Sequence, residues 1–327
     1  MMGIDISCAF ATSMTTPDHV AAAERLGYKR AWLYDSPALY PDVWMSLAEC
    51  ARRTHHIELG PGVLVPSLRH PMTNAAAIAT LGALAPGRVN VAVGSGFTGR
   101  LTLGLKPNPW AFVRDYVLTL QALLRGEATT WEGAKIAMLH PDGFGAPRPI
   151  HVPFLIGTAG PKGVAVAHEI GDGVFSSSPV AGFARCSVLS PGTVLGDGED
   201  PGSERVMAAA GHAGALRYHA GYARGADVAS LPGGAAWIAD LERVPAAERH
   251  LALHEGHLIA PNARDAAALT GEVLTRFGYA RSAGDWRQQL VDLEAAGATE
   301  IAYQPAGPDI VGELERFAAA TGVEASA

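Results

Sequence analysis

The stretch VPFLIGTAGPKG, residues 152–163, decides the fold of this chain. Its first part, residues 152–156, is a near-continuous apolar run, which is typical of a strand buried on both faces of a parallel sheet. The glycine-rich turn at 157–163 leads directly into a helical segment, with Pro161 near the first helical turn. A buried strand followed by a helix is the βα unit from which parallel α/β proteins are built.

Units of this kind recur along most of the chain. Alanine-rich segments of helical period alternate with short β-rich runs, which we place at residues 4–10, 30–34, 57–65, 89–93, 152–156, 173–176, 186–189 and 300–303. Strands that alternate with helices in this way predict a parallel α/β architecture. We therefore expect a (β/α)8 TIM barrel with insertions, formed by a single domain over residues 1–327.

Two insertions interrupt the alternation. Residues 129–138 have the pattern of a small hairpin that turns at Glu132-Gly133. Turns rich in Gly, Asp and Pro occupy residues 190–202, and a helical region without clear internal boundaries follows over roughly 203–280. Any determinants of substrate choice are expected in the poorly patterned region of about 180–260.

The two ends of the chain favour a closed barrel. Residues 24–32 and 294–302 share the order of a helix end, a glycine stop and a strand, so the first and last units are expected to be neighbours. A doubly wound sheet is the alternative. That fold usually carries a G-x-G-x-x-G turn after its first strand, and no such turn follows Phe10.

Composition argues against several classes of protein. The formal net charge is -7 and no basic run occurs, whereas nucleic-acid binding requires clustered Lys and Arg. The three cysteines, Cys8, Cys50 and Cys186, have neither the spacing of a zinc site nor that of a disulfide framework. The sequence begins without signal-peptide features and contains no apolar run of about 18 residues, so we expect a cytoplasmic protein.

The glycine-rich turn is a candidate phosphate-binding site. Small residues let backbone amides approach an anion, and the N-terminus of the following helix adds partial positive charge. Lys162 can add a full positive charge. The candidate residues are Gly157, Thr158, Ala159, Gly160, Pro161, Lys162 and Gly163. The alternative is an ordinary Gly-Pro turn that only starts a helix.

Two further strand ends carry candidate residues. Gly94-Ser95-Gly96 follows the fourth strand, and its glycines allow a planar ring or a phosphate to lie against the main chain, with Arg100 as a nearby charge. A flexible connector is the alternative for this loop. Asp35 follows the second strand and is a candidate acid or base, or else the N-cap of the next helix.

Two histidines in the C-terminal half are secondary candidates. His254 and His257 lie three residues apart in the sequence HEGH, which is not the H-E-x-x-H pattern of a zinc protease. No third ligand lies within metal-site spacing, so we predict no metal. We expect these histidines to line a substrate pocket as reserve acid or base groups, with ordinary core or surface positions as the alternative.

Several motifs taken together resemble the bacterial luciferase-like superfamily, and most closely its methylenetetrahydromethanopterin reductase-like branch, which uses the deazaflavin coenzyme F420. The resemblance runs from about residue 8 to 173 and resumes in the last βα unit. It rests on the ordered motifs Gly62-Val63, Arg69-His70-Pro71, Gly94-Ser95-Gly96, Leu123-Leu124-Arg125-Gly126-Glu127 and Gly157-Thr158-Ala159-Gly160-Pro161-Lys162.

The resemblance implies a homodimeric barrel that binds F420, or alternatively FMN, at the carboxyl face of the barrel. The phosphate would lie on residues 157–163 with Ser177 and Ser178. A non-proline cis peptide at Gly62-Val63 would support the ring, framed also by Gly94 and Ser95. Arg69 or Arg100 would neutralise the acidic tail of the coenzyme.

Two positions depart from the pattern of the family. Relatives that oxidise alcohols or sugar phosphates commonly carry His after the Asp of the second strand, where this chain has Ser36. Sugar-phosphate dehydrogenases place Glu after the glycines of the fourth strand, where this chain has Phe97. Both substrate classes are therefore disfavoured.

The leading hypothesis is hydride transfer between the deazaflavin and a small organic substrate, with Asp35 as the first acid or base candidate. An FMN-dependent monooxygenase is the alternative, since the same barrel and turn would serve it. A non-catalytic flavin-binding relative is a further alternative, because a fold does not fix an activity.

Overall fold

The computed structural model describes residues 3–323, and a closed barrel of parallel strands forms its centre. Around the barrel the strands follow the order β1-β12-β9-β8-β7-β4-β3-β2. The strands are β1 (Asp5–Phe10), β2 (Arg30–Leu33), β3 (Glu58–Leu64), β4 (Val91–Gly94), β5 (Thr129–Trp131), β6 (Ala134–Ile136), β7 (Phe154–Gly157), β8 (Gly173–Ser176), β9 (Cys186–Pro191), β10 (Thr193–Leu195), β11 (Ala280–Ser282) and β12 (Glu300–Gln304).

Helices surround the barrel and fill its insertions. They are α1 (Thr16–Arg25), α2 (Val43–Arg53), α3 (Pro71–Leu84), α4 (Phe97–Leu101), α5 (Trp110–Arg125), α6 (Pro161–Ile170), α7 (Glu204–Arg224), α8 (Gly234–Glu242), α9 (Arg249–Leu253), α10 (Ala263–Ala268), α11 (Gly271–Arg276), α12 (Ala283–Ala295) and α13 (Ile310–Thr321). Short 3-10 helices lie at Pro66–Leu68 and Val228–Ser230.

The predicted barrel is confirmed. The eight predicted strands are the eight barrel strands, and their ends differ from the predicted ones by at most two residues. β1 pairs in parallel with β12, so the first and last units are neighbours. Gly27 and Gly297 both have positive φ, 91° and 95°, which explains why each follows a helix and precedes a strand. The terminal residues 1–2 and 324–327 of the predicted domain lie outside the described residues.

Three details of the prediction change. The loop expected after β4 contains a one-and-a-half-turn helix, α4, so Arg100 is helical. The turn-rich stretch 190–202 contains β10, which pairs in parallel with β11 near residue 281. The helical region after residue 203 is one long helix, α7, followed by four short ones. The β10–β11 pair joins segments about 85 residues apart, and a local sequence pattern carries no signal for such a contact.

A ring of charged residues closes the amino end of the barrel. Arg30, at the start of β2, donates to the carboxylates of Glu58 and Glu300, which begin β3 and β12. Trp32 Nε1 also donates to Glu300 over 2.8 Å. Both Arg30 and Glu300 are buried. The pairing of these charges offsets the cost of their desolvation. They lie at the opposite end of the barrel from the candidate site.

The insertion helices have an apolar core of their own. Buried side chains of α7, α8 and α11 pack together beside the barrel, with Tyr218, Trp237 and Leu274 among the most buried. No helix within residues 3–323 combines the length and hydropathy that a membrane crossing requires. The insertion therefore rests on the carboxyl side of the barrel as a packed unit, through contacts such as the hydrogen bond from Gln304 Nε2 to the Leu258 carbonyl.

Candidate active site at the carboxyl end of the barrel

A cavity of about 360 Å³ opens where the barrel strands end. This is the face at which enzymes of this fold carry their chemistry, and the volume is that of a small-molecule site. The walls come from the ends of β2, β3, β7, β8 and β9, from α4 and from the insertion. The lining residues are Tyr34, Asp35, Ser36, Tyr40, Gly62, Val63, Val65, Gly96, Phe97, Thr98, Gly99, Gly157, Thr158, Ala159, Phe175, Ser176, Ser177, Leu189, Arg224 and Leu258.

A bulge in β3 forms the floor of the cavity. The pairing of β3 with β4 shifts between Gly62 and Leu64, and the Gly62-Val63 peptide is cis, as the family resemblance implied. The Val63 side chain lies between Gly94 and Gly157. A Cβ atom added to Gly94 would lie 2.8 Å from a Val63 methyl carbon, and one added to Gly157 would lie 2.6 Å from the other. The glycines at these positions therefore make room for the bulge, which brings Val63 onto the cavity wall.

The turn 157–163 lies beside this bulge and starts α6 as expected. Gly157, Thr158 and Ala159 line the cavity, and helix geometry leaves the amides of Lys162 and Gly163 without an intrahelical acceptor. A Cβ on Gly163 would lie 2.1 Å from Thr158 Oγ1, whereas one on Gly160 would meet nothing within 4 Å. Gly163 is therefore required by packing, and the turn presents free amides next to the cavity.

Asp35 is bound on both carboxylate oxygens. Arg69 Nη1 donates to it at 2.8 and 2.9 Å, and the Val65 amide donates to Oδ2 at 3.0 Å. Burial raises the pKa of Asp35, while Arg69 and the Val65 amide stabilise its ionised form. Arg69 also donates to Asp42, which is the N-cap of α2. The N-cap alternative for Asp35 is therefore wrong, and Arg69 is held by two acids.

Arg100 lies away from the cavity, contrary to its candidate role. Because α4 is a helix, its guanidinium turns outward and donates to the Ser67 hydroxyl and the Lys106 carbonyl. The cation on the cavity wall is Arg224, at the end of α7, which lies over the Phe97 ring at 4.9 Å. Sequence reasoning missed Arg224 because it lies about 125 residues from the α4 segment that it contacts.

Of the serine residues proposed to bind the coenzyme, one lines the cavity and two do not. Ser177 lines the cavity, and its neighbour Ser176 does so as well, although only Ser177 and Ser178 were predicted. The Ser178 amide donates to Ser176 Oγ over 3.2 Å, which fixes the turn after β8. The Ser95 carbonyl accepts from the Asn108 amide over 2.8 Å and so anchors the loop before α5. Ser95 and Ser178 thus support the wall.

Tyr34 lines the cavity and carries a polar group that the surrounding described residues leave unsatisfied. Its hydroxyl is fully buried and has no hydrogen-bond partner within the described part of the chain. Burial raises the pKa of Tyr34 well above its usual value, so the phenol keeps its proton. Its neighbour Tyr40 differs, because its hydroxyl donates to the His257 carbonyl. Tyr34 therefore offers a desolvated hydrogen-bond donor.

His254 and His257 lie behind the cavity wall, so the expectation that they line the pocket is wrong. Their rings turn toward α7, where His219 lies with its Nδ1 at 3.2 Å from that of His257. Burial lowers the pKa of His254 to about 4, and it lowers the pKa of His257 well below its usual value. The next residue, Leu258, takes their place on the wall. No local pattern pointed to His219, which lies 35 residues before His254.

The family of the chain follows from a comparison with known proteins. The family model described as luciferase-like monooxygenase matches residues 12–187, more than half of the chain. The chain belongs to this family. The match covers β2 to β8 and therefore the Val63 bulge and the turn 157–163.

Within the luciferase-like family, two curated relatives are informative. An F420-dependent glucose-6-phosphate dehydrogenase from Beutenbergia cavernae is 33% identical over 180 residues, 49% of this chain and 51% of the relative. A 5,10-methylenetetrahydromethanopterin reductase from Archaeoglobus fulgidus is 31% identical over 160 residues, 48% of this chain and 47% of the relative. The chain thus matches about half the length of each.

A solved structure supports the fold over the whole chain. The coenzyme F420-dependent tetrahydromethanopterin reductase from Methanopyrus kandleri has a TM-score of 0.66 at 18% identity, covering 96% of this chain and 97% of that one. At this identity the likeness concerns the luciferase-like fold alone. The insertion after β9 is therefore part of a shared architecture.

Proposed function

We propose that this chain is an F420-dependent oxidoreductase that transfers a hydride between the deazaflavin and a small organic substrate. One observation carries the proposal: the Val63 bulge and the first residues of the turn, Gly157, Thr158 and Ala159, line one cavity at the carboxyl end of the barrel, and the turn leads directly into the N-terminus of α6. The curated relative from Beutenbergia cavernae, which is named as F420-dependent, supports the same coenzyme.

The residues of the cavity fit a phosphate-bearing, ring-containing coenzyme. We place the phosphate at the free amides of Lys162 and Gly163, with Ser176 and Ser177 as further polar partners. The ring is placed against Val63, on a wall where the two adjacent glycines leave no competing side chain. Lys162 is exposed at the helix start and can approach an acidic tail. When bound, the deazaflavin supplies a hydride donor or acceptor.

The rest of the cavity is suited to a largely apolar substrate. Tyr40, Phe97, Phe175, Leu189 and Leu258 form much of the wall, and the insertion covers one side. Apolar walls exclude water and strengthen the few polar contacts that remain. By the family resemblance, Ser36 replaces a His of relatives that oxidise alcohols or sugar phosphates, and Phe97 replaces a Glu of the sugar-phosphate dehydrogenases. We therefore propose a substrate outside those two classes.

Tyr34 is proposed as the group that binds the reacting oxygen or nitrogen of the substrate. Its proton-bearing hydroxyl is desolvated and unpaired among the described residues, so it is available as a donor. Asp35, the first candidate by sequence, has both oxygens occupied by Arg69 and the Val65 amide. We therefore propose that Asp35 positions Arg69 and the β3 end, while Tyr34 contacts the substrate.

Tyr34→Phe is expected to lower kcat by about 10²-fold. The change removes one hydroxyl without a protein partner, so the melting temperature and the affinity for F420 should stay at their wild-type values. Tyr222→Phe, on α7 and outside the cavity wall, is the matched control. An unchanged kcat in Tyr34→Phe would remove Tyr34 from the mechanism and leave the coenzyme assignment intact.

Fluorescence titration with F420 and with FMN tests the coenzyme. We expect saturable binding of F420, and turnover by bound F420 without oxygen consumption. Tight binding of FMN with oxygen-dependent turnover of FMNH₂ would favour the monooxygenase alternative and contradict the proposal. Binding of either coenzyme without turnover of any reductant or substrate would favour a non-catalytic flavin-binding role. A homodimer and a cytoplasmic location remain predictions of this proposal.

A further inference from the structure

Three buried histidines meet between the insertion helices and the barrel. His219 comes from the middle of α7, His254 from the end of α9, and His257 from the turn that follows. Their exposed fractions are 1%, 2% and 5%. One ring nitrogen of each lies within 4.8 Å of one ring nitrogen of each of the others. Sequence spacing supplied only two of the three, which is why no metal was predicted.

Two of the separations between ring nitrogens are those of ligands around one ion. His257 Nδ1 lies 3.2 Å from His219 Nδ1 and 3.4 Å from His254 Nδ1. Two nitrogens bound tetrahedrally to Zn²⁺ at about 2.05 Å lie about 3.3 Å apart. Two of the three Nδ1–Nδ1 separations therefore match those around a single transition-metal ion, and a ring nitrogen of His219 lies within 4.8 Å of one of His254.

The partner of His219 fits the same arrangement. Its Nε2 lies 3.0 Å from both carboxylate oxygens of Asp265, and Asp265 also accepts from Trp237 Nε1 over 2.8 Å. A carboxylate that accepts from the far nitrogen of a histidine fixes the ring and leaves its other nitrogen with a lone pair. In His219 this lone pair is on Nδ1, directed toward His257.

Hydrogen bonds among the three rings cannot satisfy all their nitrogens in the neutral state. A neutral imidazole has one donor and one acceptor nitrogen. If His257 Nδ1 donates to His219 Nδ1, it has no lone pair left for His254. His254 Nε2 has no hydrogen-bond partner within residues 3–323. If His254 Nδ1 instead donates to His257 Nδ1, the lone pair of His219 Nδ1 has no donor. In either arrangement two buried ring nitrogens lack a partner among these groups, which costs free energy unless another ligand binds.

We propose that His219, His254 and His257 bind one divalent transition-metal ion of the Zn²⁺ class through their Nδ1 atoms, with Asp265 orienting His219. Imidazole ligands suit Zn²⁺, Co²⁺, Ni²⁺ and Cu²⁺, and three of them leave a coordination position for water or another ligand. None of the three side chains lines the cavity, so the ion would not contact a ligand in the cavity. It would instead help to hold the cavity wall in position.

The metal site is coupled to the cavity through the main chain next to His257. Tyr40 donates to the His257 carbonyl, and Leu258, with a positive φ of 60°, lies on the cavity wall. A leucine in this conformation is strained and is held only by its surroundings. An ion on His254 and His257 would hold this turn and keep Leu258 in place. Metal binding is therefore expected to raise the melting temperature of the full chain.

Titration of the chelator-treated full chain with Co²⁺ and Zn²⁺ tests the proposal. We expect one equivalent of Co²⁺ per chain with visible d–d absorption, displaced by one equivalent of Zn²⁺. Asp265→Asn should lower the affinity by about 10- to 100-fold and keep the stoichiometry. His254→Asn and His219→Asn should abolish saturable binding, whereas His250→Asn, four residues from His254, should bind as the wild type does.

Absence of saturable binding by the wild-type chain would overturn the proposal, as would binding that survives both His254→Asn and His219→Asn. X-ray absorption of the Zn²⁺-loaded wild type provides a measurement that needs no variant. Scattering from three imidazoles is expected, and fewer than three would overturn the proposed ligand set even if the variants fail to fold. These readouts do not depend on F420 binding or turnover, so they are independent of the proposed function.

Discussion

Arg30→Met is expected to lower the free energy of unfolding by about 3–5 kcal/mol. Methionine keeps the volume of the side chain and removes the guanidinium that neutralises Glu300 and Glu58. Glu300 is only 3% exposed and would retain Trp32 Nε1 and the Ser187 hydroxyl as neutral donors. An uncompensated buried carboxylate at the amino end of the barrel is the cause of the loss.

Urea denaturation of Arg30→Met measures this loss, with Lys29→Met as the matched control. Lys29 is adjacent in sequence and also pairs with Glu58, at 3.5 Å, but its side chain is 53% exposed. An exposed pair contributes about 0–1 kcal/mol, so the control should be close to the wild type. Equal stabilities of the two variants would mean that burial of the Arg30 network contributes nothing to the barrel.

Gly163→Ala is expected to weaken F420 binding by at least about tenfold, since overpacking costs about 1–3 kcal/mol and 1.4 kcal/mol corresponds to a factor of ten. The new Cβ would lie 2.1 Å from Thr158 Oγ1, 2.7 Å from Thr158 Cβ and 2.5 Å from Trp110 Cζ2. Rotation of the Thr158 side chain cannot remove the contact with its Cβ. The turn must therefore shift away from the cavity and carry its amides with it.

Gly160→Ala in the same turn is the control for this experiment. An added Cβ there meets nothing within 4 Å, and φ is -94°, a value that alanine adopts readily. Fluorescence titration should give this variant nearly the wild-type affinity for F420. If Gly163→Ala binds F420 as tightly as Gly160→Ala does, the phosphate lies elsewhere and the turn only starts a helix.

Much of the fold could be predicted because each barrel unit is a local pattern. The apolar run 152–156 and the glycine stops at Gly27 and Gly297 reflect conformational preferences that act between neighbouring residues. In the barrel, each of them lies in the element that was expected. The helix α4 was missed for a local reason, since Gly96 at its N-cap has a positive φ of 78° and the segment reads as a loop.

The sequence predicted those residues of the candidate site that lie in local motifs, and it did not predict the others. Gly62, Val63 and the turn 157–163 lie in ordered motifs, whereas Arg100 was placed on the wrong side because its direction depends on α4. Arg224 had no signal at all. Arg224 reaches the cavity wall because the end of α7 packs against α4, where its guanidinium lies over the Phe97 ring.

The sequence by itself determined the βα repeat, the closed barrel and the motifs of the luciferase-like family, because helix period, glycine stops and buried strands are encoded within short windows. Only the tertiary structure decided which side chains meet. It paired Asp35 with Arg69, left the Tyr34 hydroxyl buried without a hydrogen-bond partner among residues 3–323, and brought His219 to His254 and His257. Such contacts depend on the packing of elements far apart in the chain, and no local pattern carries that information.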